Sequence, residues 1–331
     1  MKTTALLPIL SMLLSMSPTA QIIHVPGDQN TIQAGIDAAN PGDTVLVSDG
    51  TYLENISFMG KAILVTSHFL VDGDTNHIHN TIIDGGDPED PLHGSVVEFP
   101  SEEDTTSIIY GFTITGGTGM YLESQQARIG GGIVCYNATA KISHNRITDN
   151  EVSDISNAWG GGIAVHREAG EQWVVIENNI IRENRAIVDN GIAAGGGSLI
   201  LGDARIYSNL VENNYCTSES NESAGGGFYC QSLNELPDTL KFPHNTVQNN
   251  SVDGKEAASG GGIFFRGLFA TISENVIRYN TLKGNVARGG GIYFEEGMIS
   301  DITANLFASN TLNTTNNEWW GGGGSVSGYQ K

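Results

Sequence analysis

Hydrophobic residues alternate with polar ones over short runs of this chain, and glycine and asparagine separate the runs. Ile163 to Val165 and Val174 to Ile176 are examples. Alternation with a period of two predicts β-strands, and Gly and Asn predict the turns because they tolerate positive φ angles. No repeated segment has room for a helix of ordinary length with an apolar stripe. The pattern therefore predicts an all-β protein.

A glycine-rich phrase returns at nearly constant intervals in the second half of the chain. Its first glycines are Gly130, Gly160, Gly195, Gly225, Gly260, Gly289 and Gly321, spaced 29 to 35 residues apart. A repeat of this length indicates a solenoid. Three short strands and three turns per repeat predict one coil of a right-handed, single-stranded parallel β-helix, with successive coils about 4.8 Å apart.

Stacking the coils places equivalent residues in columns along the solenoid. Three apolar columns are predicted to face the core: Ile133, Ile163, Ser198, Phe228, Ile263 and Ile292; Cys135, Val165, Ile200, Cys230, Phe265 and Phe294; Ile147, Ile181, Val211, Val247, Ile277 and Phe307. Two columns consist of asparagine alone: Asn145, Asn179, Asn209, Asn245, Asn275 and Asn305; Asn150, Asn184, Asn214, Asn250, Asn280 and Asn310. Stacked amides can hydrogen-bond from coil to coil, so the columns predict structural ladders rather than a ligand site.

The repeated Gly-Gly-Gly-Ile, followed by Ile-x-x-Asn or by Phe307-Ala308-Ser309-Asn310, resembles the repeats of chlamydial polymorphic outer-membrane proteins. It is still more similar to secreted bacterial proteins with right-handed parallel β-helix repeats, in the pectin-lyase-like superfold. The resemblance covers nearly the whole chain after the N-terminal segment. It implies the fold but not one activity, since this superfold hosts lyases, hydrolases, esterases, adhesins and inert stalks.

The N-terminal part divides into three predicted segments. Residues 1–20 begin with a positively charged residue, continue with an apolar run and end with small residues at the expected cleavage site. This pattern predicts a secretory signal and an extracellular or outer-surface location. Residues 21–67 form an N-terminal cap and opening coil, with a short helix over Thr31 to Ala39 that covers the open end of the solenoid. Their sequence resembles the first coil of pectin-lyase-like proteins. Residues 68–128 form degenerate coils.

Residues 129–331 form the regular coils, and the chain ends at Lys331 just after the seventh glycine set. This predicts a missing C-terminal cap, since an uncapped β-helix end invites aggregation. The chain carries 37 acidic and 16 basic residues, a formal net charge of -21, which argues against nucleic acid and anionic membranes as partners. No later apolar run is long enough to span a bilayer.

Cysteine and metal chemistry are weakly indicated. Cys135 and Cys230 share an inward column three coils apart, roughly 14 Å, which a disulfide cannot span. The sequence leaves open whether Cys216, predicted in a loop, pairs with Cys230 or stays free. Asp72, Asp74 and Asn76 alternate as calcium ligands do, but the expected Gly and Glu are absent, so a solvated loop is favoured over a calcium site. No other cofactor is predicted.

Candidate ligand contacts lie beside the third turn, where every regular coil carries a long insertion. Repeated insertions at one place usually form the binding face of a solenoid. On the outward side of the strand after each glycine set, Tyr229, Phe264 and Tyr293 follow one another on consecutive coils. An exposed aromatic strip would stack on sugar rings, with Gln231 and His166 as polar neighbours. The alternative is a strip covered by the insertions.

Catalysis is weakly supported by the sequence. A polysaccharide lyase needs a base and a cation beside the substrate carboxylate, and Arg266 with Glu295 is the one such pair on this face. His166 lies three coils from Arg266, too far to share one reacting bond. We therefore expect a secreted or cell-surface, adhesin-like or stalk-like protein that binds glycans or surfaces without chemistry. A polysaccharide lyase or hydrolase is the alternative function, and a purely structural role is the third.

Overall fold

The structure is a computed structural model that describes residues 19–100, 103–167, 172–233, 238–296, 298–320 and 324–327. Almost all of the predicted signal segment and three glycines of the seventh set lie outside the described residues. The chain is a parallel β-helix, as the repeat predicts, with a short helix at its N-terminal end. Three parallel sheets form its walls, and each coil contributes one strand to each wall.

The walls are named here sheets A, B and C. Sheet A contains Ile22–Val25, Thr44–Val47, Leu64–Ser67, Ile108–Tyr110, Lys141–Ser143, Val174–Glu177, Ala204–Tyr207, Thr239–Pro243, Phe269–Ser273 and Met298–Thr303. Sheet B contains Gly50–Leu53, Thr81–Asp84, Thr113–Thr115, Arg146–Thr148, Ile180–Arg182, Leu210–Glu212, Thr246–Gln248, Val276–Arg278 and Leu306–Ala308. Sheet C contains Ile56–Ser57, Val97–Phe99, Ile133–Tyr136, Ile163–His166, Ser198–Leu201, Phe228–Gln231, Ile263–Arg266, Ile292–Glu295 and Gly324–Ser327.

The strand register confirms the predicted inward columns, except that Phe307, at the end of the third column, is exposed rather than buried. In sheet C, Ile133 pairs with Ile163, and the column continues through Ser198 and Phe228. These side chains are buried inside the three walls. Ser198 is the polar member of this column. Its buried hydroxyl has no hydrogen-bond partner among the described residues, and it lies next to the large ring of Phe228.

Both asparagine columns form the predicted ladders. The amide Nδ2 of Asn184 donates to Oδ1 of Asn214 at 3.0 Å, and the amide of Asn214 donates to Asn250 at 2.9 Å. Each Oδ1 also accepts a backbone N–H from the previous coil, and each Nδ2 donates to a backbone carbonyl such as that of Ile181. The ladders therefore satisfy the polar backbone groups at the two corners beside sheet B.

A short helix, α1 (Ile32–Ala38), packs on the first coil and confirms the predicted cap. Thr31 caps it by accepting the N–H of Ala34. Glu54 accepts the N–H groups of Ile32 and Gln33, and Lys61 donates to three carbonyls at the other end. Each charge lies at the helix end that its sign favours. Ile32 and Ile36 are buried against the core.

The long insertions are mostly strands, so the prediction of loops at the third turn is wrong. They form a fourth, two-layered sheet, named here the fin. Its outgoing strands leave the second asparagine column and its returning strands lead to the next glycine set. The fin contains Glu151–Asp154, Asn157–Trp159, Arg185–Val188, Ala193–Ala194, Tyr215–Ser218, Glu222–Ala224, Ser251–Ser259, Thr281–Arg288 and Thr311–Trp320, joined at one edge by His93–Gly94, Gly119–Leu122 and Ala127–Ile129.

Small apolar residues at every second position explain why the insertions fold. The outgoing and returning strands enclose a thin core of Val152, Ala158, Ala186, Val188, Ala193, Cys216, Val252, Ala258, Leu282 and Ala287. Cys216 lies in this core on a strand, not in a loop as predicted. The cysteines at 135, 216 and 230 are all free and buried, and burial raises the pKa of each thiol.

Two further short helices, α2 (Phe69–Asp72) and α3 (Asn76–Asn80), occupy the start of the degenerate region. The sequence predicts a loop there. Phe69 anchors the segment, because its ring stacks on Tyr110 with centroids 5.5 Å apart and also contacts His144. Helix α2 thus packs beside sheet A, and α3 packs beside sheet B, where the Thr113 hydroxyl donates to the carbonyl of Ile78.

Candidate functional site

The candidate site is a groove between the fin and the outward face of sheet C. The outward column of sheet C reads Val134, Ala164, Leu199, Tyr229, Phe264 and Tyr293. The returning strands of the fin pack over its first members, since Ile129 and Ala194 join Val134, Ala164 and Leu199 in one apolar cluster. The fin therefore closes most of this face and leaves a cleft where it stops covering the strands.

The aromatic strip is largely covered. Phe264 and Tyr293 are each 4% exposed, and Tyr229 is half-buried. The rings do stack along the solenoid, with centroids 4.7 Å apart for Tyr229 and Phe264 and 5.8 Å apart for Phe264 and Tyr293. Of the two alternatives, the structure favours the covered strip for Phe264 and Tyr293, which pack with Ala224 of the fin in one apolar cluster. Of the three, Tyr229 alone lines the groove.

The groove has a volume of about 260 Å³ and combines apolar walls with a few polar groups. Its apolar lining comes mainly from Trp159, Ile192, Leu199, Leu201 and Leu233. Its polar lining comes from Gln125, His166, Tyr229, Gln231 and Arg266. A mostly apolar cleft with a few convergent polar groups is the usual form of a ligand site.

Three of the polar groups cluster at one end of the groove. The Tyr229 hydroxyl donates to Oε1 of Gln231 at 2.6 Å. Burial raises the pKa of Tyr229 to about 12, so its hydroxyl stays protonated at neutral pH and is a hydrogen-bond donor rather than a base. Arg266 is exposed beside them, and its Nε lies 3.5 Å from a carboxylate oxygen of Glu295.

His166 lies deeper, at the other end of the groove. It is 8% exposed, and its ring packs against Tyr136 with centroids 5.3 Å apart. The register places it in one column with Leu201, Gln231 and Arg266, three coil steps from Arg266. The structure thus brings His166, Tyr229, Gln231 and Arg266 to one groove but does not bring His166 to the Arg266 end.

Trp159 is the groove residue that sequence reasoning missed. It ends a returning strand of the fin, is half-buried, and donates its indole N–H to the carbonyl of Ile192 at 3.1 Å. This hydrogen bond holds the ring at the groove wall. The sequence did contain a signal, because Trp159 stands directly before a glycine set. It also follows Ala158, which is buried, so that the two side chains lie on opposite faces of one strand.

The charged side chains at the rim of the groove are paired with each other. Arg266 and Glu295 form an ion pair at its rim, so the acid partly neutralises the cation. Among the described residues, no three His, Cys, Asp or Glu side chains are arranged to hold a metal ion. The arrangement is suited to bind a ligand that offers a flat apolar surface and several hydrogen-bonding groups.

The three weak calcium candidates, Asp72, Asp74 and Asn76, lie in and beside the tight turn between α2 and α3. Asp72 ends α2 and Asn76 begins α3. Asp72 Oδ1 accepts the N–H of Asp74, and Asp74 Oδ1 accepts the N–H of Asn76, at 2.8 and 2.9 Å. The second Asp72 oxygen lies 3.2 Å from Nε2 of His77. These carboxylates thus hold the turn between the two helices.

His77 bridges two carboxylates and should be a pH-dependent element of the fold. Its Nδ1 lies 2.6 Å from Asp49, and this hydrogen bond raises the pKa of His77 and lowers that of Asp49. Because the folded pKa of the imidazole is raised, its stabilisation is complete below about pH 6.5 and is lost as pH rises through the folded pKa. We expect an NMR titration to place the His77 pKa above 6.5 and Asp49→Asn to return it towards that value.

The matched control for this titration is His144 in the Asp49→Asn variant. Burial lowers the pKa of His144, and the substitution should leave that pKa unchanged. An unchanged His77 pKa in Asp49→Asn would contradict the bridging role.

Comparisons with protein-family models, with curated proteins and with solved structures find no match to this chain. No helix among the described residues is long and apolar enough to cross a membrane. The parallel β-helix and the groove are therefore the observations on which a function can be argued.

Proposed function

We propose that this chain is a secreted or cell-surface β-helix protein that binds polysaccharide or cell-surface glycan in the groove, without catalysis. The observation that carries the proposal is the combination of Trp159 and Tyr229 with Gln231 and Arg266 in one cleft. Aromatic faces suit the apolar faces of sugar rings, and amide and guanidinium groups suit their hydroxyls. The Gly-Gly-Gly-Ile and Ile-x-x-Asn repeats support a place within the pectin-lyase-like superfold.

The groove runs along the solenoid, which favours an extended ligand over a compact one. His166, Leu201, Gln231 and Arg266 follow one another on successive coils about 4.8 Å apart, so the lined length is about 14 Å. A linear chain of sugar rings has this shape. A ligand confined to one coil would leave the rest of the lining unused.

The first test is binding of the purified chain to a glycan array, with a lyase screen by absorbance of unsaturated uronates, with and without calcium. We expect binding without new absorbance. Gln231→Ala and Arg266→Gln should each weaken binding about tenfold, the usual effect of losing a hydrogen bond with a charged or well-placed polar group. Arg185→Gln, on the outgoing face of the fin, is the matched control and should bind as the parent does.

The outcomes separate the functions. New absorbance that Arg266→Gln abolishes would make the protein a polysaccharide lyase and overturn the non-catalytic proposal. Absence of glycan binding by the parent chain would favour a structural role. Substitutions at Phe264 and Tyr293 are unsuited to this test, since both rings are buried and their loss would affect folding.

A further inference from the structure

A second surface with ligand-binding character lies on the outward face of sheet A, away from the groove. One outward column of this sheet reads Lys141, Val175, Arg205, Lys241 and Thr271. Three of four consecutive positions are therefore cationic. Arg205 and Lys241 are direct partners on adjacent strands and both are exposed. Like charges placed side by side on a sheet face normally destabilise it.

The charge of the whole chain makes this row unusual. The sequence has 37 acidic against 16 basic residues. Several other cations lie against carboxylates: Lys141 on Glu177, Arg182 on Glu212, Arg185 on Glu151, Arg266 on Glu295 and Lys283 on Asp253. Within the described part of the chain, Arg205 and Lys241 make no ion pair. Both side chains are exposed on the sheet face.

Trp173 fixes the positions of both cations. The guanidinium carbon of Arg205 lies 4.7 Å from the centroid of the Trp173 ring, and the Lys241 ammonium lies 5.7 Å from it. Such cation–π contacts offset part of the repulsion between the two charges. They also restrict the two long side chains before a ligand arrives, which lowers the entropy lost on binding.

Two carboxylates of described residues on this face, Asp203 and Glu177, are already engaged, whereas Asp301 follows Thr271 in the same column, two coils from Lys241. Asp203 accepts the backbone N–H of Thr239 at 2.7 Å. Glu177 accepts from Lys141 at 2.7 Å and from the Ser143 hydroxyl at 3.0 Å. Their hydrogen bonds hold these acids in place, so they do not turn towards Arg205 and Lys241.

We propose that Trp173, Arg205 and Lys241, named here the cationic row, bind the carboxylate or sulfate groups of an acidic polysaccharide lying along the solenoid axis. The guanidinium of Arg205 offers the planar pair of N–H donors that a carboxylate or sulfate accepts, and Lys241 offers a second point charge one coil away. The spacing of about 4.8 Å between coils sets the distance between the two contacts. This site is separate from the groove and does not depend on it.

The small number of cations in the row favours a thin acidic polysaccharide over duplex nucleic acid. Two free cations neutralise few phosphates, whereas nucleic-acid affinity rises with the number neutralised. A net charge of -21 also repels a large, densely charged polyanion. A thin polysaccharide contacts the row alone and lies further from the acidic remainder of the surface.

The test compares a sulfated polymer (heparin), a carboxylated polymer (polygalacturonate), a neutral polymer (dextran) and duplex DNA, each titrated into the full chain at low salt. The test variant is Arg205→Gln with Lys241→Gln. The matched control is Arg185→Gln with Lys283→Gln, which removes the same two charges from the fin. Circular dichroism and thermal melts of both variants check that folding is retained.

We expect at least a tenfold loss of heparin or polygalacturonate affinity in the test variant, no loss in the control, and no dextran binding at the row. Trp173→Leu should weaken the same binding with no change of charge. Gln231→Ala, in the groove, should leave it unchanged, so that failure here and failure of the groove proposal are distinguishable. Equal loss in both double variants, DNA binding as tight as glycan binding, or no binding of either acidic polymer would overturn the proposal.

Discussion

Replacing Asn214 with leucine should lower the free energy of unfolding by about 4 kcal/mol, because four buried hydrogen bonds are lost at about 1 kcal/mol each. Asn214 accepts from the backbone N–H and the side-chain amide of Asn184, and its own amide donates to the carbonyl of Ile181 and to Oδ1 of Asn250. Leucine has a similar volume and cannot replace any of these bonds. Urea denaturation followed by circular dichroism measures the change.

Asn313→Leu is the matched control, since Asn313 is exposed on the outer face of the fin. The same chemical change there should alter the free energy of unfolding by no more than about 0.5 kcal/mol. Equal effects at the two sites would mean that the ladders contribute nothing beyond surface polarity. A larger effect at Asn214 alone establishes the ladder as a source of stability.

Gly196→Ala should be the second severe substitution, with a loss of at least about 3 kcal/mol. An added Cβ at Gly196 would lie 2.5 Å from the carbonyl oxygen of Tyr215 and 2.7 Å from that of Gly226. Both obstacles are backbone atoms, one in a fin strand and one in the next glycine set, so no side-chain rotation relieves the overlap. The middle glycine of the set is therefore required by the close approach of three backbone segments. Thermal and urea unfolding of the purified variant measure the loss.

Gly50→Ala is the control that tests whether alanine at any glycine position causes the same loss of stability. Its added Cβ would meet only the Tyr52 ring, at 3.5 Å, which is an ordinary contact. We expect little change in stability there. A Gly196→Ala variant that unfolds at the parent urea concentration would show that the coils can separate locally, and it would contradict the steric argument.

The columns and ladders were predictable because the same phrase occurs in every regular coil. Equivalent residues such as Ile163 and Ser198 are found by counting from the glycine set, and the register in sheet C is the one that this counting predicts. The capping helix was predictable for a different reason, since Thr31 and the apolar spacing of Ile32 and Ile36 mark a helix start locally.

The fin was missed because its strands do not keep one length. In three coils the outgoing and returning strands are separate, with Ile155, Asn190 or Ser220 in the connection, whereas Ser251–Ser259 runs through without a break. The insertions therefore do not repeat with a constant spacing from coil to coil, although small apolar residues still alternate within each of them. Val134, Ala164 and Leu199 were a second unused signal, because an outward column this apolar needs a covering layer.

Some of the candidate residues lie together in the structure, and their role in binding stays a prediction. Tyr229, Gln231, His166 and Arg266 do line one groove. Whether Phe264 and Tyr293 are exposed depends on how far the fin extends over sheet C, and contacts between distant segments decide that. Trp159 belongs to the site only because its strand returns over sheet C.

The asparagine ladders make the complete coil the unit by which this architecture can change length. Each amide needs only a like amide in the next coil, so removal or duplication of a full repeat, such as residues 195–224, leaves every remaining amide with a partner. Deletion of part of a repeat would instead misalign both ladders. A lineage of such proteins can therefore adjust the reach of its groove in steps of about 4.8 Å while the wall chemistry stays the same.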